Sequence, residues 1–222
     1  MKTELFCRVS ALFGIVGVVL LILSFVINPG PGPHPTAAQL TLFISKHHAS
    51  VLLGSWLQAV SPALIVIFAL AVVHLAGASA RFDGQITQVG TVILVMVSLI
   101  EVIFYISAAK GDPATTGLIS LELIRSTQHL FSMVAAPIVF LPLSTVILRS
   151  RVLPRAFGYT GLALGLLFAA MGVLVLFWPW QYLVDYLSYI QGVWWLAAAI
   201  TLLLYPPQPS FVGVSPVSRS RV

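Results

Sequence analysis

Charge is what this chain lacks most. Of its 222 residues only 8% are charged, 11 Lys/Arg and six Asp/Glu, while 59% are hydrophobic. Soluble domains carry about 25% and 45–50%. So few charges cannot cover a water-facing surface, which excludes a soluble enzyme. Nucleic acid is excluded as a partner too. The formal charge is +5, but the basic residues are scattered over connections and form no stripe. Cysteine is nearly absent: Cys7 stands alone, so there is neither a disulfide framework nor a Cys-pair metal site. Strict apolar–polar alternation is missing as well, which excludes a membrane β-barrel.

What is present is long apolar runs. A bilayer core of about 30 Å takes about 20 apolar residues per helix. Six stretches qualify, at residues 9–28, 49–75, 85–109, 119–148, 157–178 and 183–205. The expected fold is all-α, a polytopic membrane protein with six transmembrane helices. Residues 1–205 form one transmembrane domain and 206–222, rich in Pro, Ser and Arg, a flexible cytoplasmic tail. The first run is longer than a signal-peptide core and leads into Asn28-Pro29-Gly30-Pro31-Gly32-Pro33, with no small-x-small cleavage site, so it reads as a retained helix.

Basic residues set the expected orientation. With six spans, Lys2, Arg8, Arg81, Arg149, Arg151, Arg155, Arg219 and Arg221 share one face, and Lys46, Lys110 and Arg125 the other. The positive-inside rule puts both termini in the cytoplasm. Trp178, Trp180 and Tyr182 then form an aromatic belt at the outer interface. Thr36-Ala37-Ala38-Gln39 is a capping-box pattern. It starts either an early second span or a helix at residues 37–48 lying on the outer surface, with Leu40, Phe43, Ile44 and His47 on its inner side. Glycines 158, 161 and 165 with Gly172 suit close helix packing inside the bundle.

The turn Arg149-Ser150-Arg151-Val152-Leu153-Pro154-Arg155-Ala156-Phe157-Gly158, followed by a Gly-rich apolar helix, resembles the S-x-x-L-P-R-x-x-G turn of uncharacterised bacterial multi-helix membrane proteins, a domain of unknown function. The likeness covers about 140–176. It implies a bacterial cytoplasmic membrane and no particular chemistry.

Ionisable residues inside a span are costly and mark candidate sites. Glu101 lies about eight residues, or about 12 Å, from the outer end of the third span, and Arg125 equally far into the fourth. An antiparallel Glu101–Arg125 pair is therefore expected. Ser98, Glu101 and Tyr105 share one side of the third helix; Glu122, Arg125, His129 and Ser132 share one side of the fourth. His48 and Gln58 on the second helix and Gln191 and Trp194 on the sixth reach similar depth, as does Asp185 near the latter's outer end. The predicted site is an outward-facing polar pocket of Glu101, Tyr105, Arg125, His129, His48, Gln58, Trp194 and Gln191. Arg125 would anchor the head group of an amphipathic or anionic small molecule or lipid.

Enzyme motifs are lacking: there is no His-Glu-x-x-His, no repeated Glu-x-x-His and no Gly-x-Ser-x-Gly. No metal or other cofactor is expected. The favoured function is a non-catalytic binding or accessory membrane protein. Alternatives are an intramembrane enzyme using His129 and Glu101 as acid–base pair, a small oligomeric transporter, or a subunit locked into a larger membrane complex. The bilayer is a certain partner, and a partner subunit or a second copy of the chain a conceivable one.

Overall fold

A computed structural model describes residues 2–28, 30–31, 35–178 and 181–207 of the chain. The expected tail beyond residue 207, Trp180 and part of the Pro/Gly connection lie outside the described residues. The fold is all-α, and among the described residues six helices are long and apolar enough to cross a membrane, which makes this a multi-pass membrane protein in contact with lipid. The helices are α1 (Lys2–Ile27), α2 (Ala37–Leu75), α3 (Phe82–Lys110), α4 (Leu118–Leu130), α5 (Ala136–Ser150), α6 (Arg155–Leu174) and α7 (Gln181–Leu204). Wide π-turns at Pro113–Gly117 and Phe131–Ala135 lead into α4 and join α4 to α5, so that these form a single span, Thr115–Ser150.

Neighbours run antiparallel, and glycine sets their spacing. A Cβ on Gly17 of α1 would lie 2.9 Å from Ile65 of α2, and one on Gly158 of α6 would lie 2.5 Å from Leu148 of α5. Gly161, Gly165 and Gly172 continue the α6 row against Ser144, Leu141 and Met133. The small-residue row thus packs inside the bundle. Phe140 and Phe168 are buried at its centre with Trp194 and Trp195, the two indoles 4.9 Å apart edge to face.

The capping box forms: the Gln39 amide N–H donates to Thr36 Oγ1 at 3.3 Å, and Thr36 N–H to Gln39 Oε1 at 2.9 Å. Helix α2 then runs 39 residues, about 58 Å and nearly twice the hydrocarbon core. His47, at φ −117° and ψ 17°, breaks it into an arm and a span. Leu40 and Ile44 bury one face of that arm, and Leu40 packs at Gly117. The segment from Ala37 and the second span are therefore parts of one helix kinked at His47.

Arg8, Arg81, Arg149, Arg151 and Arg155 gather at one end of the bundle, tied by a Phe6–His74 ring contact at 5.5 Å and by Asp83 meeting Arg149 at 3.5 Å. Lys46 and Lys110 lie toward the other end.

Candidate functional site

Glu101 sits on the inward side of α3, in the half of the bundle away from the arginine-rich end. Its carboxylate meets two amides: Gln58 Nε2 of α2 donates to Oε2 at 2.9 Å, and Gln128 Nε2 of α4 to Oε1 at 2.9 Å. A hydrogen bond to a charged group contributes about 1.5–3 kcal/mol in water-soluble proteins and nearer 1 between membrane helices. The pair thus both satisfies the carboxylate and ties three helices together.

The expected Glu101–Arg125 ion pair does not form. Arg125 meets Glu122, one turn earlier on its own helix, at 2.5 Å, with its side chain 31% exposed and that of Glu122 70% exposed. The side of α4 that faces the bundle carries Ile124, Thr127, Gln128 and Phe131, about 100° from the charged side. A neutral amide does the work assigned to the guanidinium.

Beside Glu101 opens a cavity of about 330 Å³. Ser98, Glu101 and Tyr105 line it together from α3, Gln58 and Pro62 from α2, Gln128 and Phe131 from the fourth span, and Asp185, Ser188, Gln191 and Trp195 from α7. Asn28 and Phe25 close it from α1 and its end. Four of the sequence-predicted residues therefore converge: Glu101, Tyr105, Gln58 and Gln191. Four stand elsewhere. His48 is exposed beside the α2 kink, and Arg125 and His129 are absent from the lining. Trp194 turns to α6, its indole N–H donating to Thr160 Oγ1 at 3.0 Å and to the Phe157 carbonyl at 3.2 Å. Its place is taken by Trp195.

Sequence reasoning missed Gln128 and Asn28. For α7 the signal was present: Ser188, Gln191 and Trp195 follow i, i+3, i+7 spacing, which selects Trp195 over Trp194. For α4 it was masked, because charge rather than burial picked the face.

The cavity's electrostatics are one-sided. Its lining holds two carboxylates, Glu101 and Asp185, and among the described residues no Lys, Arg or His. Asn28 Oδ1, Gln191 Oε1 and the Trp195 indole N–H are buried, and among the described residues no hydrogen-bond partner meets them. Unsatisfied buried polar atoms cost about 1–3 kcal/mol each, and three of them lie on residues that line this one cavity. Among the described residues no three His, Cys, Asp or Glu side chains come together as a metal site would need. The hydrogen-bond partners of Glu101 are amides, which neither give nor take a proton at ordinary pH, and His129 is not among the residues that line the cavity.

No family model, curated protein or solved structure matches the chain.

Proposed function

We propose that this multi-pass membrane protein binds a small amphipathic molecule in the Glu101 cavity, and that the ligand's polar end is an amine or another donor-rich head group. The observation that carries the reading is the sign of the lining: two carboxylates, two orphaned amide oxygens and no basic side chain. An anionic head group would meet repulsion there, and its intended anchor, Arg125, lies outside. A cation would replace the missing counter-charge of Glu101, and its N–H groups would reach Asn28 and Gln191. Leu21, Phe25, Ile65, Leu94 and Phe131 supply an apolar wall for the tail. Few convergent polar groups on an apolar cavity is the pattern of a small-molecule site.

The test uses two probes of equal chain length on the purified full chain: n-octylamine and n-octanoate. The amine is expected to raise Tm in detergent and the carboxylate to leave it unchanged. Glu101→Gln should abolish the amine's effect. Glu122→Gln, which removes a mostly exposed carboxylate from the neighbouring fourth span, should preserve it. Equal stabilisation by octanoate, or an undiminished amine effect in Glu101→Gln, would sink the reading.

A second reading, carriage of the same cation, is favoured by one feature. The turn Phe131–Ala135, with Pro137 beyond it, widens the fourth span directly beneath Gln128 without unwinding it. Wide turns inside helices are frequent at functional sites, and irregular helices beside a mid-membrane site recur in transporters. Uptake of ethidium into proteoliposomes, lost in Glu101→Gln, would establish it; binding without uptake leaves the first reading.

In the proposed orientation the cavity opens away from the cytoplasm. A bacterial cytoplasmic membrane is the location we propose, on the resemblance of the 149–158 turn alone.

A further inference from the structure

A second, larger hollow lies at the opposite end of the molecule. It measures about 760 Å³, with α5 as its floor and α3 and α6 as its walls. Its chemistry is split along its length. Met133, Val134, Ile138 and Leu141 make the deep part apolar, whereas Arg81, Asp83, Thr145 and Arg149 gather at the mouth. From Met133 to Thr145 is twelve residues of helix, about 18 Å, slightly more than half of a 30 Å hydrocarbon core. The hollow therefore has the length of one leaflet and its polar end at that leaflet's surface.

The mouth is positively charged overall. Asp83 Oδ2 accepts from Arg81 Nη2 at 2.6 Å and from Arg149 Nη1 at 3.5 Å, while Thr145 Oγ1 approaches at 3.5 Å. One carboxylate thus holds two guanidiniums side by side, and its single charge cancels only one of theirs. Each guanidinium carries five N–H donors, of which the Asp83 contact uses one. The two arginine side chains are 37% and 68% exposed, whereas that of Asp83 is 10% exposed. The acid is an orienting strut and the arginines face outward.

We propose that this groove seats one anionic phospholipid, its phosphate between Arg81 and Arg149 and one acyl chain laid over Pro137, Ile138 and Leu141. Charge selects the head group: two guanidiniums gathered beside one acid can recognise a phosphate with several N–H bonds, and the net positive mouth favours a lipid with no compensating ammonium. The inference is independent of the Glu101 cavity.

The test is native mass spectrometry of the delipidated full chain, titrated with phosphatidylglycerol or with phosphatidylcholine of the same acyl chains. One phosphatidylglycerol is expected to bind with at least about tenfold preference. The neutralised set Arg81→Gln, Asp83→Asn and Arg149→Gln, which removes the charges without stranding the acid, should erase that preference. Val134→Trp, which fills the apolar part and leaves the arginines untouched, should weaken retention of phosphatidylglycerol by a similar factor. It also carries the test should the triple variant fail to fold. Equal retention of the two lipids by the native chain would mean ordinary boundary lipid and overturn the proposal. So would a preference that survives either the neutralised set or Val134→Trp.

Discussion

A carboxylate within a membrane helix needs donors, and Glu101 takes two from neutral amides. The choice has consequences. A guanidinium would have cancelled the charge and closed the site; amides orient the carboxylate while leaving its charge for something else. The same bonds hold α2 and α4 against α3, so the proposed binding and the stability of the bundle meet on one residue. Gln128→Leu is expected to lower stability by about 1–2 kcal/mol, and Gln58→Leu by a similar amount, read by denaturant titration in mixed micelles. Within a Glu101→Leu background both losses should shrink to a few tenths of that, because the bonds they remove no longer exist. Undiminished losses in that background would show that the amides act by packing alone. The sequence announces Glu101 by its depth in an apolar run. It does not announce Gln128, since an amide one position round the helix from His129 and three from Arg125 attracts no notice until the rotation of the helix is known.

That rotation is set at the scale of elements. Two wide turns flank α4, but the misread face of Glu122, Arg125 and His129 lies within the regular stretch Leu118–Leu130, so charge and not a slipped repeat picked the wrong side. The spans themselves were legible, because hydropathy needs no register; their inward faces were legible where the charged side also lines the cavity, as in Ser98, Glu101 and Tyr105 on α3. Glycine marks the places where helices touch, and context decides what each one contributes. A Cβ on Gly90 of α3 would lie 2.6 Å from the Ile138 carbonyl oxygen, a backbone atom that cannot move aside without shifting α5, whereas one on Gly192 of α7 would meet nothing within 4 Å. Gly90→Ala is therefore expected to cost about 1–3 kcal/mol by forcing α3 and α5 apart. Gly192→Ala should be neutral or stabilising by up to about 1 kcal/mol, through helix propensity alone. Thermal unfolding of the two variants in one detergent separates them. Equal behaviour would mean that α3 and α5 do not pack through Gly90.

The whole molecule is polarised. One end carries the arginines and the Asp83 strut; the other half carries the amide-held carboxylate and its cavity. The ligands proposed for the two features carry opposite charges, a phosphate at the first and an amine at the second, so the orientation of the bundle would decide which compartment supplies each. Helix α3 alone can report it. Its 29 residues span about 43 Å, enough to put its ends on opposite sides of a bilayer. Ser79, just ahead of α3, and Lys110, its last residue, are both exposed. Cys7 is buried, and replacing it by alanine gives a background free of thiols. In that background, with the chain expressed in bacterial cells, a membrane-impermeant maleimide should label Lys110→Cys directly and Ser79→Cys only after permeabilisation. The reverse pattern would invert the positive-inside assignment, leaving both sites intact but exchanging their compartments. Labelling of both from outside would mean that α3 does not span, and the six-helix crossing with its cavity at mid-depth would fall with it.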